Sequence, residues 1–381
     1  MDFGLREEER LLQERVRRFV NEKIMPMVPQ IEETYHIPWD VAKLLAEQGL
    51  FGLLIPEEYG GSIKGGKPQA LPLCLIGEEL SRGSAIASAM FGNTVLGGYT
   101  LTLAGSEEVK RDYLPPIARG EKLAAFAITE LDAGSDAGAL KTSAVLDGNE
   151  YVLNGTKWFV PPEMQIYVVF AKTDPTKGSK GVSAFLVESP TPGLEIRDMG
   201  GLLAGTEPMG EFIFTECRIP KRNLLGEPEG GFKIGLTTLS VSRVIIAAGA
   251  IGQAQRAFEL ALDYAKQRVQ FGQPIANYQL IQAYLAEMAL DIQAARLLVY
   301  YVCWLHDQGF PRIVKESAMA KLFATEAAIR VADKALRIYG GYGVLKSRPI
   351  EGIFRRTRDN VIVEGTSEML ILNIARELLS A

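Results

Sequence analysis

The stretch Ala144-Val145-Leu146-Asp147-Gly148-Asn149-Glu150-Tyr151-Val152-Leu153-Asn154-Gly155 decides how the chain is divided. Two apolar, β-branched runs flank an Asp-Gly pair, and the second run ends on Asn-Gly. These pairs supply the left-handed backbone of tight turns, so the stretch predicts a β-hairpin. Further strand-like runs at 166–171, 182–188 and 211–215 lie between Pro, Gly and Ser clusters. We therefore predict an antiparallel β domain over residues 120–229.

Helical patterns lie on both sides of this β domain. Apolar residues recur there at spacings of three and four, over one predicted helix at 3–35 and a second that starts at Pro38-Trp39. After Gly230-Gly231 long apolar faces with short connections indicate an antiparallel helical bundle. The predicted fold class is α+β multidomain, with an N-terminal all-α domain at 1–119, the middle β domain at 120–229 and a C-terminal helical bundle at 230–381.

Composition and charge exclude several classes of protein. Of the 381 residues 47% are apolar and 23% charged, and the net charge is −5, which argues against nucleic acid as the main partner. Cys74, Cys217 and Cys303 are far apart and lack metal-ligand spacing, which fits a reducing cytosol. With only His36 and His306 there is little material for a metal site, so any redox chemistry is expected to use an organic cofactor.

The sequence gives no sign of a membrane or export segment. No uninterrupted apolar run reaches the roughly 18 residues that a bilayer-spanning helix requires. The amino-terminal residues MDFGLREEER are rich in Glu, which is not typical of a signal or transit peptide. We therefore expect a cytoplasmic protein that does not insert into a membrane.

A single carboxylate near the C-terminus is the strongest catalytic candidate. In VIVEGTSEM, residues 361–369, Glu364 follows a β-branched run and precedes Gly365. Partial desolvation would raise the pKa of this carboxylate toward neutrality, as suits a general base. Thr366 and Ser367 can cap the helix that follows. The alternative is a buried turn glutamate that pairs with one of three upstream arginines, Arg355, Arg356 or Arg358.

Six collinear stretches resemble the acyl-CoA dehydrogenase family, and together they span the chain. They are LIPEEYGG (54–61), ITELDAGSD (128–136), LNGTK (153–157), RVQFGQPI (268–275), IYGGYG (338–343) and VEGTS (363–367). The resemblance implies an α-domain, a middle β-barrel and a C-terminal four-helix bundle. It also implies a homotetramer, built as a dimer of dimers, with the cofactor FAD at the subunit boundary.

The resemblance assigns residues to FAD in all three regions. They are Phe126, Ile128, Thr129, Gly134, Ser135 and Phe159 in the β domain, and Arg268, Phe271, Gln279, Arg337, Gly340, Gly341, Thr366 and Glu368 in the helical bundle. A hydroxyl, a glycine turn and an arginine are suited to phosphate and flavin contacts. Arg268 lies three residues before Phe271, so at helical spacing the two are expected to share a face. Each motif also has a structural explanation: a strand-to-loop turn, a helix-end arginine with a core phenylalanine, or a glycine helix cap.

The resemblance further implies the reaction and its substrate contacts. Glu364 would take the α-proton of an acyl-CoA thioester, a hydride would pass to the flavin, and electrons would leave through an electron-transfer flavoprotein. Ser135, Ser242, Arg243 and Gly365 would contact the substrate. No metal site is implied. The acyl chain is not determined by these motifs.

The segment after residue 157 departs from the family pattern. Where the family has Trp-Ile-Thr-Asn, this chain has Phe159-Val160-Pro161-Pro162, so a threonine that would bond flavin N5 is replaced by a proline without a donor. Ser240, Ser242 and Arg356 are further departures. Two alternatives therefore stay open: an acyl-CoA-binding member with weakened flavin chemistry, and an enoyl-CoA reductase that runs the reaction in reverse.

Overall fold

The predicted hairpin lies in the middle of a large sheet. In the computed structural model, which describes residues 4–33, 36, 38–64, 68–203, 207–310 and 312–380, strand β2 (Ser143–Asp147) pairs antiparallel with β3 (Glu150–Val160). Asp147 lies opposite Glu150, and Gly148 has a φ of 61°, the left-handed value that such a two-residue turn requires. The hairpin prediction is confirmed.

Six further strands complete the sheet. They are β1 (Ala124–Ala127), β4 (Ile166–Lys172), β5 (Val182–Glu188), β6 (Leu194–Leu203), β7 (Glu207–Pro220) and β8 (Leu224–Leu225). The strand order is β6-β7-β3-β2-β4-β5-β8, and β1 lies beside β4.

The sheet is mixed, so the prediction of a purely antiparallel sheet is wrong at β4, which pairs in parallel with β1 and, at Ser143 and Lys172, with β2. Strand β1 pairs with β4 in parallel, because the β2–β3 hairpin intervenes between them along the chain and β4 returns in the direction of β1. Strands β6 and β8 are the two ends of the order, and no pairing joins them among the described residues. Closure of the sheet into a barrel is therefore not confirmed.

Among the described residues, six α-helices precede the sheet. They are α1 (Glu7–Phe19), α2 (Val28–Glu33), α3 (Trp39–Glu47), α4 (Ala70–Gly83), α5 (Ala85–Ala104) and α6 (Glu107–Ala118). The restart at Trp39 is confirmed. The single helix predicted over 3–35 is instead interrupted, by a widened turn at Val20–Ile24 and a tight turn at Met25–Met27. Pro26 explains the interruption, because it lacks an N–H and its ring clashes with the preceding turn; residues 3, 34 and 35 lie outside the described residues.

Five helices follow the sheet. They are α7 (Gly231–Gln267), α8 (Gln279–Asp307), α9 (Val314–Tyr339), α10 (Pro349–Asn360) and α11 (Ser367–Leu379), with a short hairpin of β9 (Val269–Gln270) and β10 (Gln273–Pro274) after α7. The interior between α7, α8 and α9 is rich in buried alanine. Small side chains let these helices approach closely, which confirms a packed helical domain.

Helix α4 of the first region packs directly on the last region. A Cβ added at Gly252 of α7 would lie 2.1 Å from the carbonyl oxygen of Glu78, so only glycine fits there. The Glu78 carboxylate also accepts a 2.8 Å hydrogen bond from Arg296 of α8. The two helical regions therefore share an interface that does not involve the sheet.

By length and composition alone, helices α7 and α8 could cross a bilayer. The sequence expectation was different, because it considered only uninterrupted apolar runs. The core helix of a soluble protein meets the same criterion. In α7, 61% of the apolar window is buried inside the protein, so helix packing accounts for its apolar character.

Candidate active site

Glu364 lies in the short loop between α10 and α11, in a strained backbone conformation. Its φ is 56°, and that of Gly365 is 109°, so two successive residues are left-handed. This conformation is unfavourable for a residue with a Cβ and requires support from the surrounding structure. The turn directs the Glu364 carboxylate toward α7.

The carboxylate of Glu364 has a pKa close to neutrality. Burial raises its pKa to about 7, against the opposing effects of a hydrogen bond from Ser242 and of the charges on Lys321 and Arg243. The Ser242 hydroxyl donates to Glu364 Oε2. The residue as a whole keeps intermediate exposure, while burial of its carboxylate is the largest influence on its pKa. Such a group can take up or release a proton near pH 7.

Two cations that act on Glu364 come from α7 and α9. Arg243 Nε donates to the Glu364 backbone carbonyl at 3.2 Å, and Lys321 is the other nearby cation. Arg355 is instead bonded to Glu351, with 2.6 Å between Nε and Oε1. The structural alternative, a glutamate held by an upstream arginine, is therefore not supported by these contacts. Arg243 lies three turns inside α7 rather than at its start.

Lys321 was not predicted from the sequence. It lies in α9 with its side chain fully buried, and its ammonium donates to the Gly365 carbonyl at 2.8 Å. Burial lowers its pKa to about 8, against the raising effect of Glu364. The sequence does contain a pattern that indicates its burial. Lys321 lies three residues before Ala324 and seven before Ala328, on the buried, alanine-rich face of α9.

The residues after Gly365 serve mainly to start α11. Thr366 Oγ1 accepts a 3.3 Å hydrogen bond from the Met369 amide, which confirms the predicted cap. Ser367 instead donates to Glu326 Oε1 of α9 at 2.6 Å. Glu368 is exposed. The roles of Thr366 and Glu368 as cofactor contacts stay predictions.

A buried ion pair fixes the loop after β1 against β3. Lys157 Nζ lies 2.7 Å from Glu130 Oε1, and it also donates to the Ile128 carbonyl at 3.1 Å. Thr142 donates to the same Glu130 oxygen at 2.6 Å. Burial tends to raise the pKa of Glu130, but Lys157 and these hydrogen bonds outweigh burial and lower it.

This anchored loop brings together most of the predicted flavin contacts of the β domain. The Trp158 amide donates to the Thr129 carbonyl at 2.8 Å, so Thr129 and Phe159 lie on adjoining segments. Phe126 and Ile128 are partly buried on the same side of the sheet, while Gly134 and Ser135 are exposed on the loop.

Phe159 presents its ring outside the sheet. Its φ is 59°, and 52% of the residue is exposed, although its neighbours in β3 are buried or partly buried. The Trp158 ring meets it edge-on with 6.3 Å between centroids. Pro161 offers only its carbonyl, which accepts from Tyr167 Oη at 3.1 Å. The segment thus has an exposed aromatic ring and, at Pro161, no donor.

A cavity of about 500 Å³ lies where α7 and α9 end. Arg268, Gly340 and Gly341 line it, together with Tyr339 and Tyr342. A Cβ added at either glycine would meet nothing within 4 Å, so this wall faces open space.

Three other predicted bundle contacts do not line this cavity. Phe271 is 96% exposed at φ 49° in the tip of the β9–β10 hairpin. Because α7 ends at Gln267, Arg268 and Phe271 do not share a helical face, and that expectation is wrong. Gln279 is exposed at the start of α8, and Arg337 is held by Asp333, with 2.8 Å between Nε and Oδ2.

A second cavity, of about 460 Å³, lies along the first turns of α7. Lys180 and Lys233 line it with Phe232 and Leu236, and Ser240 lies at the end toward Ser242. These lysines were not predicted from the sequence. Their signal was weak, because isolated lysines in a loop and in a helix's first turn are usually solvated.

Comparison with known families covers the whole architecture. The acyl-CoA dehydrogenase N-terminal domain matches residues 6–121, the middle domain 125–217 and the C-terminal domain 229–379. The chain belongs to the acyl-CoA dehydrogenase family. As members of the family are oxidoreductases, this acyl-CoA dehydrogenase family protein is an enzyme of that class.

Full-length relatives of this acyl-CoA dehydrogenase family protein carry two kinds of name. It is 42% identical to acryloyl-CoA reductase (NADH) of Anaerotignum propionicum, over 100% of this chain and 96% of the relative. It is 41% identical to an acyl-CoA dehydrogenase of Bacillus subtilis, over 98% of each chain. A 3-(aryl)acrylate reductase of Clostridium sporogenes is also 41% identical, over 98% of this chain and 99% of the relative.

Solved structures share the complete fold. Butyryl-CoA dehydrogenase from Megasphaera elsdenii superposes with a TM-score of 0.93 at 34% identity, with all of both chains covered. A chain from work on the electron transferring flavoprotein of Acidaminococcus fermentans has a TM-score of 0.95 at 37% identity, again over all of both chains. A glutaryl-CoA dehydrogenase of Mycobacterium smegmatis in complex with FADH2 has a TM-score of 0.92 at 27% identity, over 99% and 96% of the two chains.

Proposed function

We propose that the protein catalyses α,β-dehydrogenation of an acyl-CoA thioester to the 2-enoyl-CoA, with Glu364 as the base that removes the α-proton. The observation that carries this proposal is a carboxylate with a pKa of about 7, held against α7 by contacts of Glu364 with Ser242 and Arg243. A base of that pKa can accept a proton at neutral pH and can later release it.

FAD is the cofactor of this family, and the residues present fit it. The cavity at Arg268 combines a guanidinium with an open glycine wall, which suits a pyrophosphate and its adenosine. The exposed ring of Phe159, next to the Thr129 loop, suits the flat apolar face of a flavin. When bound, FAD supplies the hydride acceptor that no side chain can provide.

The thioester would be held by residues of this chain on two sides of the base. Ser242, Arg243 and Gly365 surround Glu364, and the backbone N–H of Glu364 is the proposed donor to the thioester oxygen as negative charge develops there. Lys180 and Lys233 in the cavity along α7 would attract the phosphates of coenzyme A. The apolar residues Phe232 and Leu236 would line the path between them.

Partners and location follow from the family and from composition. We propose an electron-transfer flavoprotein as the electron acceptor, since a chain of TM-score 0.95 comes from work on such a flavoprotein. A homotetramer is proposed because large apolar side chains are exposed on α8 and α11, among them Leu290, Trp304 and Leu372. A cytoplasmic location is proposed from the cysteine usage.

Enoyl-CoA reduction is the second candidate function. It is favoured by the two reductases at 42% and 41% identity, and by Pro161, which takes the place of a hydroxyl donor in the family pattern. In that direction the protonated form of Glu364 would deliver the α-proton. A carboxyl group with a pKa of about 7 is present in both forms at neutral pH, so the same site can serve either direction.

The test is anaerobic bleaching of the flavin absorbance by a panel of saturated acyl-CoAs. Wild type should bleach with at least one of them, and Glu364→Gln should lose bleaching while it keeps its yellow colour. The control is Glu377→Gln in α11, which removes the partner of the exposed Arg312 and should bleach normally. Unchanged bleaching in Glu364→Gln would overturn the assignment of the base. A purified protein that takes up no FAD would support the alternative of an acyl-CoA-binding member.

A further inference from the structure

Two cations hold the two successive carbonyls of the loop that carries the base. Arg243 Nε, from α7, donates to the Glu364 carbonyl at 3.2 Å. Lys321 Nζ, from α9, donates to the Gly365 carbonyl at 2.8 Å. Both residues of the loop have left-handed backbones, at φ 56° and 109°. The unfavourable turn is therefore held from two helices by charged donors.

Lys321 is an unusual group for its location. The side chain is fully buried on the face of α9 that packs on the rest of the bundle. Its ammonium donates a hydrogen bond to a backbone oxygen, and Glu364, Asp359 of α10 and Glu326 of α9 act on it through their charges. Arg243 opposes them. Burying an ammonium is costly, and a methionine would fill a similar space without that cost.

The charge of Lys321 acts on the base as well as on the backbone. Lys321 and Arg243 are the two charges that lower the pKa of Glu364, and the Ser242 hydroxyl from α7 lowers it further. Without these groups, burial alone would keep the carboxyl protonated to higher pH. A lysine at this position thus has two connected effects, one on loop geometry and one on the ionisation of Glu364.

We propose that Lys321 is a positioning residue, whose ammonium holds the Gly365 carbonyl and places a buried positive charge next to the loop residue Glu364. The proposal rests on the proposed function, in which Glu364 is the base. Lys321 does not touch the reacting atoms; it acts through the loop and through its charge.

The experiment is an infrared titration of the carboxylic acid band of Glu364 in the FAD-bound protein, with Glu364→Gln as the reference that removes the band. The wild-type midpoint is expected at about pH 7. Lys321→Met should raise the midpoint by about one pH unit, because a nearby positive charge is lost. Lys321→Arg should stay near wild type, since it keeps both a donor and a charge.

The matched control is Lys315→Met, which removes a partly exposed lysine from the first turn of the same helix and should leave the midpoint unchanged. An unchanged midpoint in Lys321→Met would overturn the proposal. Should that variant fail to fold, Lys321→Gln carries the test, because it keeps a donor for Gly365 but no charge, and the same two outcomes apply.

A second measurement separates this inference from the proposed function. Acetyl-CoA has no β-carbon and cannot be dehydrogenated, but a base at Glu364 should exchange its α-protons with D2O, as followed by NMR. Exchange that persists in Glu364→Gln would refute the base assignment itself. Exchange that is lost in Glu364→Gln, with the same pH profile in Lys321→Met as in wild type, would refute only the role of Lys321.

Discussion

Lys157 and Glu130 form an ion pair with 2.7 Å between Nζ and Oε1, and at most 7% of either side chain is exposed. Removing one partner of a buried pair leaves an uncompensated charge in the interior. Lys157→Met should therefore lower the free energy of unfolding by about 3–5 kcal/mol, as measured by denaturant titration. It should also loosen the loop that carries Thr129.

The comparison for this pair is Lys141→Met. Lys141 pairs with Asp132 at the surface, where 76% and 71% of the side chains are exposed, and a change within about 1 kcal/mol is expected there. Equal losses in the two variants would contradict the role of the buried pair.

The proton transfer should depend on pH with a sign set by the direction of reaction. The ionised form of Glu364 is the base, and its pKa is about 7, so the rate of flavin reduction by an acyl-CoA should rise as pH increases from 6 to 8. Reduction of an enoyl-CoA needs the protonated form and should fall over the same range. Stopped-flow measurements in both directions check this, and a profile without an inflection near 7 would argue against Glu364.

Ser242 should make Glu364 a better base at low pH. Its hydroxyl donates to Glu364 Oε2 and lowers the pKa of that carboxyl. Ser242→Ala should shift the inflection of the rate profile upward by up to about one pH unit, with little change above pH 9. Ser242→Thr keeps the hydroxyl and should remain close to wild type. A profile identical in Ser242→Ala and wild type would show that the hydrogen bond has no effect.

Phe159 should contribute to flavin affinity through its exposed ring. Phe159→Ala removes the apolar face and should weaken FAD binding by roughly tenfold, which corresponds to about 1.4 kcal/mol. Phe159→Trp should bind at least as tightly as wild type. The measurement is the dissociation constant from flavin fluorescence, and Val145→Ala, at an exposed position of β2, is the control.

The fold was largely predictable because its signals are local. Gly148 marked the hairpin turn, Trp39 a helix start and Thr366 a helix cap, and each of these depends on a few neighbouring residues. The parallel pairing of β1 with β4 was not predictable, since it joins segments about 40 residues apart and no local pattern encodes strand direction.

Only some residues of the candidate site could be predicted from the sequence. Glu364 was identified from its apolar approach and glycine, but its position beside Ser242 is set by packing of α7 against the α10–α11 loop. Lys321 was not predicted, because a lysine in a helix is usually solvated and its burial here results from tertiary packing. Phe271 and Arg268 were placed on one helix face, which the end of α7 at Gln267 prevents.

The close contact of Gly252 with the Glu78 carbonyl has a consequence for how the chain can vary. Helix α4 precedes the β region in the sequence and α7 follows it, yet the backbones of the two helices are in direct contact at Glu78 and Gly252. The sheet is therefore inserted, between α6 and α7, into a set of helices that pack on one another directly. Insertions in the outer loops of the sheet should be tolerated in related chains. Any side chain larger than that of glycine at residue 252 would instead force α4 and α7 apart.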